Sequence, residues 1–289
     1  MKKLTSLPSL LCCALMTCGL YSCDNQNDQE KARFSHIEDV NDPAYRVGLP
    51  LGAKAMHVGE AQLPNARPCY FNSHYAAYTA LLEEKIDAYV FDSHTLDYVA
   101  ASSSDYDILP GTIGMVDIAI GVSPKKSELV HEINLFIDGY KLNGTYNQMY
   151  DRWVKLSEEE RAAFSRPDVP DMPHIDAPAH PTRTLVVGTC SQLEPMCFRK
   201  PGGEPTDLIG FDMELLQRLA RHLNATIVLR DLDYMSMMDM LVKGELDMVV
   251  AGLNKTEERK KRGILFTRNY IDSHIVALVR STRVEKKKK

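Results

Sequence analysis

The chain has 289 residues, 44% hydrophobic and 25% charged, an ordinary globular balance with room for one large or two small domains. Its formal net charge of -5 provides no global pull toward nucleic acid. The Lys286 to Lys289 run reads as a solvated tail.

Residues 1–22 read as a secretory signal peptide: Lys2 and Lys3 are followed by a mostly apolar stretch from Leu7 to Leu20. Leu20-Tyr21-Ser22-Cys23 resembles the bacterial lipobox, with small Ser22 before an acylatable Cys23. The alternative is a plain signal peptide that happens to contain a cysteine. Residues 23–35 are polar enough for a lipid-anchored tether. No later run approaches the roughly 20 apolar residues that span a membrane.

In the earlier block, from 36 to 156, Tyr75 to Glu84 suits a helix and Ile86 to Val90 a strand. Helices are expected over Ser127 to Tyr140 and, after the Asn143-Gly144 turn, over Tyr146 to Trp153. Residues 157–182 form a connector carrying Pro167, Pro170, Pro173, Pro178 and Pro181. Proline fixes φ and removes a donor, so this stretch is expected to be extended.

The later block, from 183, opens with a strand at Thr184 to Gly188. Apolar residues at helical spacing then mark Phe211 to Leu223. A strand at Ala225 to Leu229, a helix at Tyr234 to Val242 and a buried strand at Leu246 to Val250 follow. This alternation predicts an α/β architecture. The segment 243–250 parallels 83–90, which suggests two lobes of related design.

Four of the seven cysteines lie at or before Cys23, leaving Cys69, Cys190 and Cys197. An exported protein meets oxidising conditions, so Cys190 and Cys197 could close a small loop; a bridge and two free thiols are both open. Cys69 is expected as a buried small hydrophobe. No zinc pattern accompanies these cysteines, and neither a metal nor a cofactor is expected.

The later block resembles the first lobe of bacterial extracellular solute-binding proteins of the polar amino acid family, family 3, with the type II periplasmic binding fold. The matching pieces are 185–189, 210–216, Gly244-Glu-Leu-Asp247, Ala251-Gly-Leu-Asn254 and Thr256-Glu-Glu-Arg259. Phe266 to Tyr270 matches a further element, with Asn269 where the family has proline. The earlier block resembles that family's second lobe over 36–116, through 37–40, 45–49 and 86–92. Residues 117–156, through 118–122, 143–145 and Trp153, resemble its return into the first lobe. The first lobe proper is expected over 183–280, with a basic tail over 281–289.

The order is therefore reversed: second lobe, return, connector, first lobe. A circular permutant of one bilobed protein is expected, since breaks in exposed crossovers spare the cores. The competing expectation is a remnant of two tandem domains, completed by swapping with a second chain.

The resemblance implies a cleft that holds an amino-acid-like ligand. Arg259 would fork onto its carboxylate, with Thr256 capping the helix that presents Arg259. Gly252 and Asn254 would line the cleft beyond a strand end. Asp92 would meet the ammonium; its alternative role is to cap a helix starting at Ser93. Tyr234 would stack on the ligand or join the core, and Leu193 replaces the family's other aromatic. Glu194 stands where small residues are common. Ala53 and Lys54 replace the family's hydroxyl-bearing helix start, and Lys54 suggests a ligand with an additional carboxylate. Asp87 and Asp247 are expected to make structural bonds.

These implications define a monomeric lipoprotein of the cell envelope, facing the periplasm. It captures a small amino-acid-like ligand by interlobe closure for a membrane permease of the ABC importer type. It is not expected to be an enzyme or to bind nucleic acid. A small-acid dehydratase on the same fold, with Glu194 or Glu214 as acid or base, is one alternative; Glu214 is otherwise expected on an exposed helix face. A regulatory envelope module is the other.

Overall fold

Two βαβ assemblies of the same design share one sheet in the computed structural model, which describes residues 33–165 and 167–285. The expected signal peptide, Cys23 and Lys286 to Lys289 lie outside the described residues. In chain order the earlier half contributes β1 (Arg46–Pro50), α1 (Lys54–Gln62), β2 (Arg67–Phe71), α2 (His74–Leu82), β3 (Ala88–Asp92), α3 (Ser93–Ser102), β4 (Tyr106–Ile108) and β5 (Gly114–Val122). Helices α4 (Glu128–Leu142), α5 (Thr145–Trp153) and α6 (Glu158–Ala163) follow. The later half contributes β6 (Arg183–Thr189), β7 (Gln192–Leu193), β8 (Cys197–Arg199), β9 (Leu208–Ile209), α7 (Phe211–His222), β10 (Ala225–Asp231), α8 (Tyr234–Lys243), β11 (Met248–Val249), α9 (Glu257–Lys261) and β12 (Leu265–Arg280).

Each lobe is built around a parallel triplet, β2-β1-β3 in one and β10-β6-β11 in the other. The two triplets repeat the same local chemistry. Asp87 accepts from Arg46 N at 2.9 Å and its own N–H donates to Arg46 O at 2.8 Å. Asp247 does the same with Val186, at 2.8 Å for both bonds. A Cβ on Gly48 would come within 2.7 Å of Ile86 Cδ1, and one on Gly188 within 2.8 Å of Leu246 Cδ1. Glycine at the strand centre thus lets the residue before each aspartate pack over the backbone. Both aspartates have the structural role expected of them.

Long strands β5 and β12 join the lobes. They pair antiparallel from Leu265–Val122 to Ile275–Gly114, with register shifts on either side of Asn269. β5 ends beside β11 of the later lobe, whereas β12 continues beside β3 and β4 of the earlier one. Two strands crossing once in opposite directions, with an irregularity where they cross, form a hinge. After β5, α4 and α5 pack onto the later lobe: Tyr140 donates its hydroxyl to Tyr270 O. The described ends also meet, because Phe34 N donates to Arg283 O at 2.6 Å and Glu285 N to Phe34 O at 2.9 Å.

Three expectations need correction. Glu214 is not on an exposed face: it is fully buried and accepts from Arg152, Trp153 Nε1 and Arg218 at 2.7 to 3.1 Å. The return helix α5 brings Arg152 and Trp153 over α7, which lets a carboxylate enter an otherwise apolar contact. The connector is not extended throughout, since Ser157 and Glu160 cap each other to start α6 before the prolines begin. Cys69 is only half-buried, on edge strand β2. No helix among the described residues is long and apolar enough to cross a membrane.

Candidate ligand-binding cleft

The carboxyl ends of both parallel triplets point into the same gap, so residues just after the strands face each other across it. Thr256 Oγ1 accepts from Arg259 N at 3.2 Å and starts α9. Its five residues place Arg259 inward, 4% exposed. One Arg259 amine donates to Asn254 O at 2.6 Å and the other to Gly52 O of the earlier lobe at 2.8 Å.

Asn254 completes a chain of contacts between the lobes. Its side-chain amide donates to Asp92 Oδ2 at 3.3 Å. Asp92 ends β3 and precedes α3, but its side chain makes no capping bond. Its Oδ1 is buried with no hydrogen-bond partner among the described residues. Burial pushes the Asp92 carboxyl up to about 7, against the pull of Asn254 and Arg259. The guanidinium and carboxylate therefore converge, linked through one asparagine.

Gly252 and Tyr234 border the same gap. Tyr234 donates its hydroxyl to Ala251 O at 2.7 Å, and a Cβ on Gly252 would lie 3.9 Å from that hydroxyl. Leu193 is buried, 3.7 Å from the same point. Glu194 is half-buried and precedes a cis peptide to Pro195. Ala53 is the buried N-cap of α1.

Lys54 lies near Asp92, whose carboxyl it pulls down against the effect of burial. Its Nζ donates to Met115 O at 3.2 Å, in a groove with His57, Asp117 and Glu258 beside the hinge. It does not line the cavity that contains Tyr234, and neither do Arg259 and Asp92. The Cys190–Cys197 bridge is not formed. Both thiols are free and buried, with Thr189 donating to Cys197 Sγ at 3.3 Å, and burial raises the Cys190 thiol to about 11.

Beside Tyr234 the lobes enclose a cavity of about 220 Å³. Ser73, His74 and Tyr89 form its earlier-lobe wall; Ser191, Gln192 and Asp231 form part of the other. Ser73 donates to Gln192 Oε1 across the gap at 3.2 Å. Ser191 N and Oγ both donate to Asp231, which also pairs with Arg199.

Sequence reasoning missed His74, Gly52 and Asp212. Asp212 is fully buried beneath the cleft and accepts from Gly252 N at 3.0 Å and Tyr270 Oη at 2.8 Å. Burial raises its carboxyl to about 7. Its signal was a carboxylate within the apolar opening of α7. The Gly52 contact is made by backbone, which no side-chain pattern reveals.

The strand order and this cleft give a two-lobed α/β architecture. Residues 185–288 match the family "Bacterial extracellular solute-binding proteins, family 3". The arginine-binding extracellular protein ArtP of Bacillus subtilis (strain 168) is 26% identical over 103 residues, 36% of this chain and 39% of that protein. The L-cystine-binding protein TcyJ of Escherichia coli (strain K12) is 33% identical over 97 residues, 34% of this chain and 35% of that protein. A solved ancestral arginine-binding protein bound to arginine is 32% identical, with a TM-score of 0.26, covering 31% of this chain and 35% of that one. The match spans little more than a third of each of these proteins.

Proposed function

We propose that this protein is a lipid-anchored, extracytoplasmic solute-binding protein that captures an amino acid by closing its lobes, for delivery to an ABC-type permease. The observation that carries this reading is the convergence of Arg259 from the later lobe and Asp92 from the earlier lobe, joined by Asn254. A free amino acid offers a carboxylate to the first and an ammonium to the second. Contacts to both lobes favour the closed form by their differential affinity. The similarity of residues 185–288 to amino-acid-binding extracellular proteins supports the same class of ligand.

The reading includes a circular permutation. Its supports are the reversed order of the resembling segments and the contact between Phe34 and Val284 at the described ends. A chain reopened within 167–181 and rejoined from Glu285 to Phe34 by a short linker is expected to fold and bind the same ligand. Failure of that chain to fold alone would favour the tandem remnant.

Titration of the purified protein with the common L-amino acids, followed by thermal unfolding and calorimetry, tests the function. A ligand at 100 times its Kd adds about 2.7 kcal/mol of stability. That gain is expected to vanish in Arg259→Ala and Asp92→Ala; retention in both variants refutes the reading. Loss of membrane association in Cys23→Ser tests the anchor.

A further inference from the structure

The earlier-lobe wall of the cavity contains a histidine whose hydrogen bonding is half complete. His74, 6% exposed, begins α2 directly after its Ser73 N-cap. Its ring packs on Phe91 at 4.3 Å between centroids and on Tyr89 at 6.0 Å. Tyr89 Oη lies 2.7 Å from His74 Nδ1. Nε2 has no hydrogen-bond partner among the described residues, and the ring lines the cavity. Burial lowers the imidazole to about 4, so the ring is neutral at physiological pH.

A phenol donates more readily than it accepts from an imidazole nitrogen, and Tyr89 Oη has no other acceptor among the described residues. The bond therefore runs from Tyr89 to Nδ1, which leaves the proton of a neutral ring on Nε2. Nε2–H is then a fixed donor at the cavity. The other polar groups there are largely engaged: Asp231 accepts from Ser191 and Arg199, and Asp233 caps α8 through Ser236.

We propose that His74, oriented by Tyr89, reads an uncharged hydrogen-bond acceptor on the ligand's side chain, making a carboxamide amino acid the preferred class. This rests on the amino-acid-binding reading above, in which Arg259 and Asp92 take the groups common to every amino acid. Tyr234 connects the two regions, since it lines the cavity and its hydroxyl borders Gly252. A carboxamide carbonyl accepts from Nε2–H, and its amide N–H can turn toward Gln192 or Asp231. A guanidinium or ammonium would set donor against donor at His74. A second carboxylate would meet the Asp231 and Asp233 wall, where Arg199 is already paired with Asp231. A buried donor left without its acceptor discriminates strongly between ligands.

Calorimetry with L-glutamine, L-asparagine, L-arginine and L-glutamate on the whole purified protein tests this. L-glutamine or L-asparagine is expected to bind at least tenfold tighter than the two charged ligands. His74→Phe is expected to erase most of that preference while residual binding through Arg259 and Asp92 persists. Tyr89→Phe, which leaves the ring in place but frees its tautomer, is expected to reduce the preference several-fold, and it decides the matter if His74→Phe does not fold. A charged amino acid as the tightest ligand, or an equal loss for all four, overturns the proposal and leaves the amino-acid-binding reading standing. Absence of binding by every amino acid overturns both.

Discussion

Arg259 of the later half donates to the carbonyl oxygen of Gly52 in the earlier half at 2.8 Å. Its second bond goes to Asn254 O at 2.6 Å, so a guanidinium suited to a carboxylate is satisfied by two neutral carbonyls, one from each lobe. An ionised acceptor bonds about twice as strongly as a neutral one. Under the proposed function, a ligand carboxylate would displace Gly52 O, so that the interlobe bond is exchanged rather than lost.

Replacing Arg259 tests that exchange. Arg259→Ala is expected to lower affinity for the cognate amino acid at least 100-fold by calorimetry. Arg259→Lys is expected to recover little, because an ammonium lacks the planar fork. Without ligand, small-angle scattering of Arg259→Ala should give a larger radius of gyration, since the contact to Gly52 is gone.

Asp92 predicts a pH dependence with a definite sign. Its folded carboxyl, at about 7, lies above the ordinary 3.8. Between those values the folded state retains a proton that the unfolded chain releases, so stability falls as pH rises through the window. The slope is at most about 1.4 kcal/mol per pH unit. Asp92→Asn should remove this component: urea unfolding at pH 5 and 7.5 should show a smaller loss in the variant than in the parent protein. An ammonium ligand favours ionised Asp92, so binding should tighten as pH rises toward 7.5 and release protons. Calorimetry in buffers of different ionisation enthalpy measures that release.

Glu214 anchors the return helix. Its removal leaves Arg152, Arg218 and the Trp153 indole without their shared acceptor. Glu214→Ala is expected to cost about 3 kcal/mol, read as a lower urea midpoint with an unchanged slope.

Gly210 supports the cleft from below. Its φ is +124°, and a Cβ there would lie 2.4 Å from Met196 O and 2.6 Å from Pro195 O. Neither backbone oxygen can move aside easily. Gly210→Ala is expected to destabilise by about 2 to 4 kcal/mol, and thermal unfolding would show it.

Much of the fold was legible. The Phe211 to Leu223 periodicity became α7, the two aspartate-bearing segments took matching places, and the return segment lies on the later lobe. Strand limits moved because Ile86-Asp87 and Leu246-Asp247 turn into their strands before the ladder begins. His74 was invisible because Tyr89 and Phe91, which pack on its ring, come from β3 and not from its own helix.

The order of residues by itself determined the α/β alternation, the two related halves and the residue types proposed to meet a ligand, because periodicity and short motifs act over a few turns of chain. Only the tertiary structure decided that Arg259 meets Gly52, that Asp92 meets Asn254 and that His74 faces a cavity. Those contacts span 162 residues between Asp92 and Asn254 and 207 between Gly52 and Arg259. They exist because the crossed strands β5 and β12 bring two separately built sheet ends to face one another.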